Sequence, residues 1–386
     1  MSRHGRVLVA MSGGVDSSVT AALLHEEGYD VVGVTMKTWD YETSLGGSGV
    51  SRRASGCCSL DDMNDAREVA VRLGAPHLVV DIRDEFGGWV IDRFEADYLG
   101  GRTPNPCVLC NTHIKWAALL KRADALGCDW IATGHYARVR AEGGRYVVSR
   151  GLDSGKDQSY ALWGVAQDHL ARSRFPLGSF TKPEIRRLAA EMGLDGVAAK
   201  PDSYEICFVP DDDYRGFLAR RRPALFADLD GGPFVHVETG ETVGRHAGYP
   251  AYTVGQRRGL GLALGEPVYV VRIEPETNTV VVGPREALLG RTLRADGVVW
   301  GKRPGLEGET RVTAAIRYHD GGSDALARQT GGEGLEVVFA QSREAIAPGQ
   351  AVVLYDGDDV LAGGWIERAP APDAEDDGAF VALPTL

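Results

Sequence analysis

The stretch that most constrains this chain is Arg6 to Glu27. There a β-rich apolar run ends in Ser12-Gly13-Gly14-Val15-Asp16-Ser17-Ser18 and passes straight into a helical pattern stopped by Gly28. A strand that feeds a helix through a glycine turn aims backbone N–H groups and the positive helix end at one point, which suits an anion. Glycine at 13 and 14 lets the backbone come close to phosphate oxygens, and the hydroxyls of Ser12, Ser17 and Ser18 add donors. Asp16 would repel phosphate unless Mg²⁺ lay between them. The pattern lacks the lysine of the P-loop and the Gly-x-Gly-x-x-Gly spacing of dinucleotide loops. The alternative, a plain glycine turn with serine caps, requires only one glycine and one cap.

The same alternation continues. Val31 to Met36 reads as a strand, Leu60 to Leu73 as a helix capped by Ser59 and stopped by Gly74, and His77 to Ile82 as a third strand. Phe86, Val90, Phe94 and Tyr98 mark a helix, and Trp130 to Thr133 a fourth strand. Strands alternating with helices imply a parallel sheet and an α/β fold. After about residue 215 the texture changes to short β-rich runs: Val268 to Ile273, Thr279 to Val282, Arg311 to Arg317 and Ala351 to Tyr355. Runs like these suit small sheets or barrels.

We therefore expect a parallel-sheet catalytic domain over residues 1–213, a central β-rich domain over 214–285 and a C-terminal β-barrel over 286–370, with Gly283 to Gly290 as the linker. Residues 371–386 carry Asp373, Glu375, Asp376 and Asp377 after a Pro/Ala stretch and read as a disordered tail. The start of the chain is too short on apolar residues for a signal peptide, and no apolar run reaches the roughly 20 residues of a membrane helix, so a cytoplasmic protein is expected. A net charge of -12 argues against loose attraction to nucleic acid, so any RNA site must be a local patch.

Six unevenly spaced cysteines do not make a disulfide framework in a reducing compartment. Cys107 and Cys110 lie in a proline-stiffened loop, Thr103 to Asn111, just before a helix expected from Thr112 to Leu126, and helix N-termini stabilise thiolates. Cys207 sits in a short strand-like piece, Ser203 to Phe208, and Cys128 reads as core. Zinc on Cys107 and Cys110, with Cys57 and Cys58 as partners, is the chief rival reading, but adjacent cysteines are poor joint ligands.

The phosphate loop resembles the SGGxDS signature of PP-loop ATP pyrophosphatases, which leave an adenylated intermediate. Several further segments resemble the bacterial tRNA-specific 2-thiouridylase family (MnmA). They are Gly56 to Ala66, Gly101 to Asn111, Thr133-Gly134-His135-Tyr136, Lys156-Asp157-Gln158-Ser159, Glu205 to Phe208, Gly255 to Arg258, Ile316-Arg317-Tyr318 and Pro348-Gly349-Gln350, spread over nearly the whole chain in order. The resemblance implies ATP-dependent adenylation of the 2-carbonyl oxygen of the wobble uridine, with sulfur then displacing AMP. It implies nucleotide contacts at Ala10, Met11, Ser12, Gly13, Gly14, Val15, Asp16, Ser17, Ser18, Met36 and Gly134. It implies RNA contacts at Asn105, Pro106, Cys107, His135, Lys156, Asp157, Gln158, Arg317, Tyr318 and Gln350.

By the same resemblance Cys207 accepts a persulfide and Cys110 is the nucleophile. The substrates are tRNAs for Lys, Glu and Gln, and the sulfur donor is a cysteine desulfurase or relay protein. The sequence departs from the family at Cys107, where many relatives carry an aspartate expected to act as base. Two routes follow: Cys107 as a thiolate base, or Cys107, Cys110 and Cys207 as the three ligands of a 4Fe-4S cluster.

Outside the resemblance, a lone His135 is more often a satisfied core residue, and Lys156 to Gln158 a polar turn. Arginine clusters at Arg215, Arg220 to Arg222, and Arg257 with Arg258 could meet phosphates, or merely solvate a helix face. The rival enzyme is an ATP-dependent amidating synthetase, which leaves the thiols without a task. A non-enzymatic RNA-binding or metal-storage module leaves the phosphate loop unexplained.

Overall fold

The strand β1 (Arg6–Ala10) forms where apolar β-branched residues run together, and Val7, Leu8 and Val9 are fully buried. In this computed structural model, which describes residues 2–39, 59–202, 206–209, 213–229, 231–331 and 333–367, β1 lies at the centre of a parallel sheet. It pairs with β2 (Asp30–Lys37) on one side and β4 (Trp130–Ala132) on the other. The sheet is completed by β3 (His77–Asp81) beyond β2 and β7 (Ser173–Arg174) beyond β4, giving the order β3-β2-β1-β4-β7. Between β4 and β7 the chain makes an antiparallel hairpin of β5 (Ala137–Glu142) and β6 (Arg145–Arg150).

Helix α1 (Val15–Glu27) follows β1 and ends on left-handed Gly28. Its first two turns are buried nearly all round, with Leu24 rather than Leu23 continuing the buried face, because it packs against the sheet on one side and α6 (Lys182–Glu191) on another. Helix α2 (Leu60–Arg72) starts at Ser59, whose hydroxyl accepts from the Asp62 N–H at 3.1 Å.

The run Phe86, Val90, Phe94, Tyr98 is all buried, but on a composite helix: Arg83–Phe86, a π turn Gly87–Ile91, then α3 (Asp92–Leu99). Residues four apart precess by about 40° on an α-helix. The wider π turn keeps them facing one way.

The helix expected from Thr112 begins earlier. α4 (Pro106–Leu109) passes through a π turn, Cys110–Lys115, into α5 (Trp116–Ala125). Proline at the first helical position is pre-set for a helix start, so the prolines that read as a loop instead open the helix. Cys107 and Cys110 are therefore on the helix and not ahead of it. Nor is Cys207 in a strand: Val209 N–H donates to Ile206 C=O at 2.9 Å, closing a turn around it.

The chain divides into two compact units, Met1–Asp92 with Pro106–Asp213 and Asp358–Val360, and Arg93–Asn105 with Tyr214–Gly357 and Leu361–Leu386. The second begins its main run with two helices, α7 (Tyr214–Arg221) and α8 (Pro223–Asp228), where only β texture was expected. A four-stranded sheet follows, β8 (Gly232–His236), β9 (Thr242–His246), β10 (Tyr269–Glu274) and β11 (Thr279–Gly283), in the order β10-β11-β8-β9 around Phe234, Val270, Val280 and Val282. A short turn, Arg285–Leu288, leads to six strands: β12 (Leu289–Trp300), β13 (Thr310–Ala315), β14 (Ser323–Thr330), β15 (Gly334–Glu344), β16 (Ala351–Asp356) and β17 (Asp359–Ile366).

The order β12-β15-β14-β13-β16-β17 is closed by pairing of β12 with β17, so the six make a barrel filled by Leu335, Val337, Phe339, Val352 and Leu354. Closure removes the exposed strand edges. No helix among the described residues is long and apolar enough to cross a membrane. The expected tail, like Cys57 and Cys58, lies outside the described residues.

Candidate active site

Strand order reverses at β1, which has β2 on one side and β4 on the other. In parallel sheets, ligands bind where the carboxyl ends of strands diverge like this. The loop after β1 occupies that point. Gly13 has φ +75° and lies so near α2 that a Cβ there would come within 2.1 Å of the Asp62 carbonyl oxygen. Gly134, just after β4, would put a Cβ 3.0–3.2 Å from backbone and Cβ atoms of Asp16 and Ser17. Both positions require glycine because two segments of backbone meet there. Met36 lies half-buried near the end of β2, and Met11 is held by its N–H to Val34 C=O at 2.8 Å.

The serines divide their work differently from expectation. Ser17 Oγ donates to Gly14 C=O at 3.1 Å and accepts from Ser12 N–H at 3.1 Å, while Ser18 Oγ donates to Gly14 C=O at 2.9 Å. Ser17 and Ser18 are buried, so they shape the loop from beneath, and only Ser12 presents an exposed hydroxyl.

Asp16 is met by a lysine. Lys182 Nζ donates to both Asp16 carboxylate oxygens at 2.8 Å, and the Tyr136 hydroxyl donates to Oδ1 at 2.8 Å. The expectation that Mg²⁺ alone would reconcile Asp16 with phosphate is thereby corrected. Lys182 also reaches Asp202 at 3.0 Å, and Asp202 in turn pairs with Lys156 at 2.6 Å and Arg186 at 2.7 Å. Burial by itself would raise the Asp202 pKa, but the hydrogen bonds from Lys156 and Lys182 hold it down to about 2. Burial, and then the neighbouring Asp16 carboxylate, raise the Tyr136 hydroxyl well beyond its usual range, so it stays protonated and donates. Lys200 closes the far side of the loop, donating to Gly13 C=O at 3.0 Å and to Asp62 at 2.8 Å, with Asp65 as a further partner.

The thiols occupy the same compact unit. Solvent reaches Cys107, yet the surrounding protein pushes its pKa above the usual thiol value, with Lys115 offsetting part of the rise. Cys110 is buried and Cys207 half-buried. One helical run links the two segments: the π turn Gly87–Ile91 packs on the Cys110–Lys115 turn, where the Trp89 and His113 rings stack at 4.7 Å, and Phe86 meets Phe208 edge-on at 5.8 Å. Among the described residues no three His, Cys, Asp or Glu side chains are grouped to hold a metal ion. Cys107, Cys110 and Cys207 do not form a cluster-ligand set in this geometry, and no step is routed through iron or zinc. Cys128 is core, as expected.

Three family profiles match the chain in order: a tRNA methyl transferase HUP domain over residues 5–211, a tRNA methyl transferase PRC-barrel domain over 217–284 and an aminomethyltransferase β-barrel domain over 290–366. A tRNA-specific 2-thiouridylase MnmA of Salinibacter ruber is 61% identical over 97% of both chains. Its counterpart in Cytophaga hutchinsonii is 56% identical over 96% of this chain and 99% of its own. The chain belongs to the tRNA-specific 2-thiouridylase family. Among solved structures, a 4-thiouridine synthetase–RNA complex with bound ATP aligns loosely, with a TM-score of 0.35 and 18% identity over 57% of this chain and 51% of the other.

Several residues that the family resemblance assigns to RNA have internal partners here. Asp157 accepts from Gly151 N–H and from the Ser159 N–H and hydroxyl at 2.8–3.1 Å, and Gln158 Oε1 accepts from Tyr136 N–H at 3.0 Å. His135 is buried between Trp116 and Phe175, 2.7 Å from the Thr133 hydroxyl, and burial lowers its pKa well below the usual value, so it is neutral. Asn105 and Pro106 are buried at the entry to α4. In the second unit Gln350 Nε2 donates to Thr103 C=O at 3.2 Å and Pro104 C=O at 3.0 Å. Arg317 and Tyr318 are exposed after β13. Arg221 and Arg222 both pair with the buried Glu95, which corrects the reading of them as a solvated or phosphate-facing cluster, while Arg257 and Arg258 are exposed.

Sequence reasoning missed Lys182, Asp202, Lys200 and the task of Tyr136. Lys182 did carry a signal. It opens a helix behind the capping box of Thr181 and Glu184, where the helix dipole disfavours a cation, so a lysine there needs an anion nearby.

Proposed function

We propose that this chain catalyses ATP-dependent 2-thiolation of the wobble uridine of tRNA, in the cytoplasm, with ATP arriving as its Mg²⁺ complex. What carries the reading is that the phosphate loop and the thiols Cys107, Cys110 and Cys207 belong to one compact unit, in which a single helical run packs on both thiol-bearing segments. The nucleotide lies over Ser12 to Ser18, between Met36 and Gly134. The uridine O2 attacks the α-phosphate, pyrophosphate leaves, and the base becomes an adenylate ester with a good leaving group. The loop N–H groups and Lys182 stabilise the charge on the departing pyrophosphate.

Sulfur reaches Cys207 as a persulfide from a cysteine desulfurase or relay protein. Cys110 thiolate attacks the inner sulfur of that persulfide, forms the Cys110–Cys207 disulfide and liberates hydrosulfide, which adds at C2 and expels AMP. A cellular thiol then reduces the disulfide with two electrons and restores both thiols. Cys107, exposed beside Lys115, takes the proton of the attacking group. The acceptors are the tRNAs for Lys, Glu and Gln, and Arg257, Arg258, Arg317 and Tyr318 supply exposed cationic and stacking contacts.

The test is Cys110→Ser with purified tRNA, ATP and a persulfide donor. Pyrophosphate release should continue while 2-thiouridine, measured by mass spectrometry of nucleosides, disappears. An unchanged yield of 2-thiouridine would sink the reading. An amidating synthetase would instead be indifferent to the change in every product it makes.

A further inference from the structure

Asp202 is held by three cations on its way to the sulfur segment, and the central one is shared with the phosphate loop. Its side chain is 14% exposed, with Lys156 at 2.6 Å, Arg186 at 2.7 Å and Lys182 at 3.0 Å. The Lys182 ammonium simultaneously holds both oxygens of Asp16 at 2.8 Å. Three cations, Lys156, Lys182 and Arg186, thus face two carboxylates, Asp16 and Asp202, which leaves one positive charge in excess beside the loop. Shortly downstream the chain makes the turn that carries Cys207, whose neighbour Phe208 is packed against Phe86 at 5.8 Å and Trp39 at 6.5 Å. The Cys207 turn therefore has an apolar anchor beside it and an ionic anchor upstream.

We infer that Asp202 is a positioning residue for Cys207, and that phosphate occupancy of the loop acts on the cysteine through Lys182. The inference rests on the reading of the loop as an ATP site and of Cys207 as the persulfide carrier. A triphosphate in the loop competes with Asp16 and Asp202 for the Lys182 ammonium, because its oxygens carry more charge than either carboxylate and Lys182 has only three protons to donate. As Lys182 turns to the nucleotide, Asp202 keeps Lys156 and Arg186 and loses its link to the loop. The ionic anchor upstream of Cys207 then relaxes in step with nucleotide binding. Sulfur chemistry is thereby tied to a filled adenylation site, which guards the persulfide from discharge without an activated base.

The test measures alkylation of Cys207 by iodoacetamide in the full chain, followed peptide by peptide with mass spectrometry, with and without the non-cleavable analogue α,β-methylene-ATP. In the wild type the nucleotide should change the Cys207 rate about fivefold or more, the lower range of ordinary site–site coupling. In Asp202→Asn the rate should be the same with and without nucleotide, and Asp202→Glu should restore part of the response. Buried Cys128 in the same digest reports folding. If Asp202→Asn exposes Cys128, Arg186→Gln replaces it, with partial loss of the response expected. A nucleotide response that survives in the folded Asn variant, or is absent in the wild type, overturns the inference. Wild-type protein that also releases no pyrophosphate with ATP and tRNA points to failure of the functional reading, whereas pyrophosphate release without a Cys207 response defeats the coupling alone.

Discussion

Two helices of the first unit begin at chemically loaded positions, and they treat an anion in opposite ways. α1 opens at Gly14 under the phosphate loop, with buried serines tying the turn and Lys182 held against Asp16. α4 opens at Pro106 with Cys107 in its first turn. If a helix start were enough, both should favour negative charge. At Cys107 burial outweighs the dipole and Lys115 together, and the thiol pKa rises. A phosphate brings its charge with it and needs only donors, whereas a thiol must lose a proton in place and bears the full cost of desolvation. α4 is also only four residues long before its ladder gives way to a π turn, so less dipole is aligned behind it.

The largest effect should come from removing the side-chain cation that distinguishes the first start from the second. Lys182→Met leaves Asp16 with the Tyr136 hydroxyl and no ammonium, and strips the loop of its counter-charge. We expect tRNA-dependent pyrophosphate release to fall about 10²–10³-fold, the scale of removing one preorganised group from a charged transition state. Tyr136 and Asp202 remain in place, so near-ultraviolet circular dichroism should change little. A loss under threefold would mean that backbone donors suffice and that the two helix starts differ less than their side chains suggest.

A smaller and directional effect is expected at the second start. The Cys107 alkylation rate should still be climbing above pH 9, because the raised pKa keeps the thiolate scarce at neutral pH and thiolate is the reactive form. Lys115→Met should slow the reaction further at a fixed pH, since Lys115 is the group that pulls the pKa back down. A plateau near pH 8 would restore the simpler view in which the helix start activates the thiol.

These two sites also mark what could be read from the residues alone. The phosphate loop was legible because its determinants are local: a strand, two glycines and a helix follow one another without interruption, and β1, α1 and Gly28 fall where the pattern puts them. Its counter-ion was not, because Lys182 reaches Asp16 only after the chain has passed through β2, β3 and β4. The α4 start was misplaced because Pro104 and Pro106 signal a loop and a helix N-terminus equally well, and only the observed hydrogen bonds separate the two. For Arg221 and Arg222 a charge run gives no hint of a buried partner, and Glu95 lies on a helix far upstream. The barrel strands were visible as β texture, but their closure through β12 and β17 depends on pairing that no local pattern encodes.

The smallest effect concerns how the chain is held as it enters α4. In the second unit Gln350 donates to Thr103 C=O and Pro104 C=O, while Thr103 N–H donates to Pro348 C=O at 2.7 Å. Gln350→Ala removes the two side-chain bonds but keeps the backbone one, and neutral hydrogen bonds of this kind are each worth about 0.5–1.5 kcal/mol net. A drop in stability of about 1–2 kcal/mol in urea titration is therefore expected, with 2-thiouridine formation reduced only a few-fold through kcat, because the segment leading into Asn105-Pro106-Cys107 is less firmly set. If Gln350 instead serves mainly as an RNA contact, the substitution should raise KM for tRNA and leave the urea midpoint where it was. The two outcomes separate a residue that shapes the second helix start from one that merely touches substrate.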